Sequence, residues 1–263
     1  MKRILKSELD KFYTKQDVAK YLIDKVNIDY YDLVVDPSCG DGSFYSNIHC
    51  DNKIGIDIES NLDGIIIHDF LTWNSSSLNV DSSKVLVISN PPFGKQGSLA
   101  MKFIKKSSEF ADTIAFILPL SFAKDSVKNR IPNFYHLEYE EILNENSFLL
   151  NGEDYDVKCV FQIWKKRNYI RKKSPLIIEK GFSYTKNKSL ADLSIRRVGI
   201  YAGQAFLDTD KSEQSHYFII LDNKDKLTDV MDFLNNLEWI DLTVGPRSIS
   251  KQELNKKINS LLV

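Results

Sequence analysis

The 263-residue sequence predicts an α/β protein: a mostly parallel sheet with helices on both faces, followed by a small α+β region. Three observations carry the prediction. Short runs rich in apolar and β-branched residues recur at 31–35, 53–59, 64–68, 84–89, 113–119 and 158–164, as strands buried on both faces require. A turn with two glycines follows the first run, where an open α/β sheet makes its first crossover. Beyond Lys165 the runs become shorter and the balance of charge reverses.

Taken in order, residues 1–11 are polar, and Phe12-Tyr13-Thr14 precedes a helix over 17–26 whose apolar positions Val18, Ala19, Leu22, Ile23 and Val26 share one face. Thr14 is a suitable N-cap and Asp17 a reciprocal partner, as in a capping box. After the strand at 31–35, the glycines of Asp36-Pro37-Ser38-Cys39-Gly40-Asp41-Gly42-Ser43-Phe44 let the backbone turn tightly and approach a ligand. A third glycine and a lysine are both missing, so neither a dinucleotide site nor a P-loop is indicated. Acidic residues flank the turn and favour a ligand carrying positive charge and amines. S-adenosylmethionine has both.

The strand at 53–59 ends in Asp57 and Glu59, about 20 residues after the glycine turn, where an acid accepts from both hydroxyls of a ribose. Asp57 is the first choice and Glu59 the second. The strand at 64–68 delivers Asp69, suited to accept from an adenine amine, and Phe70, suited to pack on the ring. The strand at 84–89 leads into Asn90-Pro91-Pro92-Phe93. Two prolines fix φ twice and remove two backbone donors, which stiffens the loop and frees the Asn90 amide and the Pro91 carbonyl for a ligand. Two such oxygens accept the hydrogens of an exocyclic NH2, and Phe93 offers a face for a heterocycle. A helix capped by Ser98 follows, then the strand at 113–119, then a short basic helix over 125–132; Lys124 and Arg130 are candidates there for phosphate contact.

Phe12-Tyr13-Thr14, the 36–44 turn, Ile56-Asp57, Asp69-Phe70-Leu71 and Asn90-Pro91-Pro92-Phe93 resemble, in this order, the motifs of class I S-adenosylmethionine-dependent methyltransferases. More closely, they resemble those of the gamma-class DNA adenine-N6 methyltransferases. The resemblance covers residues 12–165, and the joint spacing is far more specific than any one motif. It implies a Rossmann-like methyltransferase fold with a mostly parallel seven-stranded sheet, S-adenosyl-L-methionine as cofactor, and methyl transfer to the N6 amine of an adenine flipped out of DNA. It implies that Phe12, Tyr13, Thr14, Asp36, Pro37, Ser38, Gly40, Asp57, Ile58, Asp69, Phe70 and Asn90 line the cofactor, and that Asn90, Pro91, Pro92 and Phe93 are catalytic. An aromatic of the loop at 145–156 would stack on the base opposite Phe93; Phe148 is the candidate and Tyr155 the alternative. A catalytic domain at 1–167 would then precede a target-recognition region at 168–263, in which Arg196 and Arg197 meet phosphate or a base edge. DNA is the implied partner and RNA the alternative, with a restriction nuclease or another subunit as protein companion.

Charge agrees with a polyanion partner. Residues 1–164 hold 17 Lys+Arg against 24 Asp+Glu, whereas 165–263 hold 18 against 12, with the basic residues dense over 165–197. No apolar run approaches the roughly 20 residues that span a bilayer, and the N-terminus lacks the apolar core of a signal peptide, so a cytoplasmic location is expected. Cys39, Cys50 and Cys159 form no Cys-x-x-Cys pair, and His49, His68, His136 and His216 lack ligand spacing, so no disulfide framework and no metal are expected. Two other substrate classes share the tetrapeptide: base amines of RNA and glutamine amides of protein. A non-catalytic nucleic-acid-binding subunit of the same fold is the remaining alternative.

Overall fold

The computed structural model describes residues 12–75, 84–242 and 245–262. The chain divides into two compact units, Met1–Lys173 and Ser174–Val263, a boundary six residues beyond the one expected after residue 167.

In the first unit a two-residue strand β1 (Tyr13–Thr14) leads into α1 (Gln16–Ile23), which buries Ala19, Leu22 and Ile23. Thr14 does not cap this helix. Lys15 holds the N-cap position without a side-chain cap, because Thr14 is drawn into a strand. The central strands follow: β2 (Leu33–Asp36), β3 (Lys53–Asp57), β4 (Ile65–Ile67) and β5 (Val85–Ser89). After them come α2 (Ser98–Ser107), β6 (Thr113–Pro119), a single helical turn α3 (Asp125–Lys128) and β7 (Tyr135–Ile142). The unit closes with β8 (Phe148–Leu150), β9 (Glu153–Tyr155) and β10 (Cys159–Lys166). Gly97, not Ser98, occupies the N-cap of α2, in the left-handed region.

Seven of these strands form one sheet in the order β4-β3-β2-β5-β6-β10-β7. The first five are parallel, and β10 runs antiparallel to both its neighbours. This is the mostly parallel α/β sheet expected. Every residue of β5 and β6 is buried, which is what their unbroken apolar runs demand. The chain moves outward from β2 through β3 to β4, then returns to the other side of β2 at β5. That reversal leaves a crevice at the carboxyl ends of β2 and β5. The strand β7 was not expected, because Tyr-His-Leu-Glu-Tyr-Glu-Glu-Ile alternates polar and apolar at the sheet edge instead of forming an apolar run.

A second, three-stranded sheet is built from β1, β8 and β9. Its hairpin closes through Asn151 and Gly152 at φ 54° and 84°, the two-residue turn that matches strand twist. The segment 145–156, expected as a loop, therefore carries the hairpin β8–β9, with half of its residues in strand.

The second unit has four antiparallel strands, β11 (Phe182–Thr185), β12 (Leu193–Arg196), β13 (Ala205–Phe206) and β14 (His216–Leu221), in the order β11-β14-β12-β13. Helices α4 (Leu227–Asn236) and α5 (Lys251–Leu262) complete it. Its core joins Leu193, Ile195, Ile219 and Leu221 of the sheet to Val230 and Leu234 of α4 and to Leu254 and Ile258 of α5. Ser250 caps α5 reciprocally with Glu253. Residues 174–263 carry 12 Lys+Arg and 12 Asp+Glu, so the basic excess of the C-terminal third lies in 165–173. Part of that excess is structural. Arg167 pairs with Glu138, and the Arg171 guanidinium donates to the carbonyls of Tyr135, Lys128 and Ile131. Among the described residues no helix is long and apolar enough to cross a membrane.

Candidate functional site

A cavity of about 480 Å³ opens where β1, β2, β3 and β5 deliver their following residues. Its floor is the glycine turn after β2. Cys39 N donates to Ile56 O, Gly42 N to Cys39 O, and Gly40 N to Asp57 Oδ2 at 2.8 Å. The other Asp57 oxygen accepts from Glu59 N at 2.9 Å, so one carboxylate locks the glycine turn to the end of β3. The ring of Tyr13 lies over Gly40, where an added Cβ would come within 3.0 Å of it. Ser43 Oγ donates to Thr14 O at 2.6 Å and ties the turn to β1.

Of the residues expected around a cofactor, Phe12, Tyr13, Thr14, Ser38, Gly40, Asp57, Ile58 and Asn90 line this cavity. Asp36 and Pro37 are buried beside it. Asp69 and Phe70 are elsewhere: exposed Asp69 accepts from Leu71 N in its own turn, and Phe70 is 1% exposed among Trp73, Phe103 and Phe110. Phe70 is thus committed to the core, a correction to the expectation that it packs on a ligand. The expectation overlooked Asp41, Ser43 and the turn 60–62, which also line the cavity. The polar cluster Ser60-Asn61 after a strand was the available signal. Among the described residues the lining includes the carboxylates of Asp41, Asp57 and Glu59 and no Lys or Arg, a set of acceptors that fits a ligand with positive charge.

Asp36 sits beneath this lining. Its Oδ1 accepts from Ser89 Oγ at 2.7 Å and Ser38 N at 3.2 Å, while Oδ2 is buried without a partner. Burial pushes the carboxyl from 3.8 up to about 7, the two hydrogen bonds offsetting part of the shift. The folded chain therefore holds a proton that the unfolded chain loses, and stability falls as pH rises from about 4 through about 7. Asp36→Asn cannot titrate there. Its melting temperature is expected to gain on wild type progressively between about pH 4 and about pH 8, measured by thermal unfolding; a pH-independent difference would contradict the burial argument.

At the far end of the cavity Asn90 Nδ2 donates to Thr14 Oγ1 at 3.2 Å, and Asn90 Oδ1 is buried with no partner. Beyond it the rings of Phe93 and Phe148 do not face an open slot. Phe12 fills the space, edge-on to Phe93 at 5.3 Å and to Phe148 at 5.0 Å, with Tyr155 6.0 Å away. Phe148 is fully buried, so the expectation that it presents a free face to a base is corrected: Phe12 covers it. Pro91 is buried and Pro92 half-buried, consistent with a stiff loop. Lys124 and exposed Arg130 lie around α3, outside the cavity lining. Arg196 and Arg197 belong to the second unit. Arg196 Nε donates to Val198 O at 2.8 Å, and Arg197 lies over the Tyr217 ring at 5.0 Å.

A family model described as the EDM2 methyltransferase-like domain matches residues 28–172, more than half of the chain. Among solved structures the chain is similar to a candidate RNA methyltransferase from Pyrococcus horikoshii, at 18% identity over 62% of this chain and 91% of that one, with a TM-score of 0.46. It is also similar to the 23S rRNA methyltransferase ErmE, at 11% identity over 59% of this chain and 70% of that one, with a TM-score of 0.45. No curated protein matches the chain.

Proposed function

Because the chain belongs to the EDM2 methyltransferase-like domain family, we propose that it transfers the methyl group of S-adenosylmethionine to the exocyclic N6 amine of adenine in DNA. The observation that carries the choice of an amine is Asn90 Oδ1, a buried acceptor without a donor, in a cavity at the carboxyl end of β5. A buried oxygen left unsatisfied is costly, and a planar NH2 group is the donor that relieves it. The order of the motifs along the chain favours DNA.

When bound, S-adenosylmethionine supplies an electrophilic methyl group on a positively charged sulfur. Asp57 would hold the ribose hydroxyls with the lone pairs that its two backbone hydrogen bonds leave free, and Tyr13 over Gly40 would close that side of the pocket. Asp41, Asp57 and Glu59, which line the cavity, would supply the negative surroundings that the sulfonium and its amine require. Adenine N6 is a poor nucleophile because its lone pair is delocalised into the ring. Asn90 Oδ1 accepting one N–H, and the Pro91 carbonyl the other, stabilises the positive charge that develops on that nitrogen. Neither acceptor changes protonation.

The test is incubation with labelled S-adenosylmethionine and duplex DNA, single-stranded DNA or structured RNA, followed by digestion to nucleosides. Label in N6-methyldeoxyadenosine is expected. Label in ribonucleosides alone moves the substrate to RNA and keeps the chemistry; label in no base, with cofactor bound, overturns the reading.

A further inference from the structure

The geometry points to Thr14 as a positioning residue: its hydroxyl, bonded to the Asn90 side-chain nitrogen, anchors that end of the amide and holds the opposite oxygen in place as the buried acceptor. The two ends of an asparagine amide are alike in shape and opposite in polarity, so a half-turn of the group converts an acceptor into a donor. A hydroxyl can pair with either end, so what Thr14 supplies is an anchor for the amide, here bonded to its nitrogen. Thr14 Oγ1 lies 3.2 Å from Asn90 Nδ2, and the opposite end, Oδ1, is left as the buried, unmet group.

Thr14 is well placed to anchor the amide because it is itself held on several sides. It is 3% exposed, and its β-branched side chain has few rotamers. Its backbone pairs with Phe148 across β1 and β8, its carbonyl accepts from Ser43 Oγ, and the next residue, Lys15, donates through its N–H to Ser147 O at 3.1 Å. The glycine turn, β8 and the N-terminal strand thus converge on one hydroxyl. This also explains why the residue that best suits a helix N-cap by sequence is not used as one: its hydroxyl faces Asn90. The effect on methyl transfer rests on the function proposed above, whereas the direction of the amide does not.

The experiment therefore has two readouts on the full chain. The Asn90 side-chain NH2 is assigned by nuclear magnetic resonance through its loss in Asn90→Asp, and its hydrogen exchange is followed in Thr14→Val, which keeps shape and removes the acceptor, and in Thr14→Ser, which restores it. Exchange about ten-fold faster in Thr14→Val and protected again in Thr14→Ser is expected; equal protection in Thr14→Val overturns the inference. Thr14→Ala serves the same arm if the valine variant does not fold. In the second readout Thr14→Val lowers kcat for amine methylation about ten-fold, and Thr14→Ser restores it. A protected amide in a wild type that methylates no base amine rejects the function and leaves the orientation standing. Methylation by a wild type whose Asn90 NH2 is unprotected rejects the orientation alone.

Discussion

Asn90→Ala is expected to keep S-adenosylmethionine affinity within about two-fold of wild type and to lower methyl transfer by about 10²–10³-fold, the range seen when one preorganised group facing developing charge is removed. The separation of the two effects follows from the site. The carboxylates and the glycine turn on the cofactor side come from residues 36–44 and 57–62, and the hydrogen bonds described above run among them, to Ile56 O, to Ser89 and to Thr14 O, none of them through the Asn90 side chain. Asn90 adds one buried oxygen at the other end. Truncation removes that oxygen and the bond to Thr14 while leaving the main chain of the Pro91-Pro92 loop in place. Titration calorimetry with the cofactor and single-turnover transfer to DNA check the two halves separately. Full transfer by Asn90→Ala would remove the amide from the chemistry.

Gly203→Ala is expected to disrupt the second unit, with a loss of about 3 kcal/mol or more. Gly203 has φ +103°, a region that L side chains rarely adopt, and an added Cβ would lie 2.0 Å from Trp239 Nε1 and 2.5 Å from its Cδ1. Trp239 is 9% exposed within the core formed with α4 and α5, so its indole has little room to retreat. At about 4–8 °C per kcal/mol for a domain of this size, the unit's melting temperature should fall by more than about 12 °C. Differential scanning calorimetry, with Trp239 fluorescence in a Trp73→Phe, Trp164→Phe background, reports on it. An unchanged transition would show that the indole swings away at little cost.

The strands most legible in the sequence are those buried on both faces, β5 and β6, where hydrophobic content alone is decisive. Strand β7 escaped because an edge strand with alternating acids looks locally like a solvated turn or helix. The hairpin β8–β9 carried its Asn-Gly signal, but the flanking residues Phe148-Leu149-Leu150 and Glu153-Asp154-Tyr155 do not alternate, and the partner that orders them, β1, is distant in the chain. The candidate site shows the same division. The polar turn at 36–44 and Asn90 could be read from residue type and position at a strand end, because carboxyl ends of parallel strands converge whatever the packing. Aromatic residues could not: Phe70 after β4 and Phe12 before β1 are equally apolar, and only packing sends one into the core against Trp73 and the other between Phe93 and Phe148. The basic run at 165–197 shows a further limit, since a count of charges does not reveal that Arg171 donates to carbonyl oxygens.

On the function proposed above, the position of Phe12 makes the space between Phe93 and Phe148 an exchange site. A planar ring that enters between Phe93 and Phe148 must displace two edge contacts worth about 0.5–1.5 kcal/mol each beyond area burial, and it regains contacts of similar size. Stacking then nearly cancels from the balance, so a free nucleoside binds weakly however aromatic it is. On that proposal affinity comes from the rest of the polymer, and discrimination among bases from the hydrogen bonds to Asn90 Oδ1 and the Pro91 carbonyl that Phe12 cannot make.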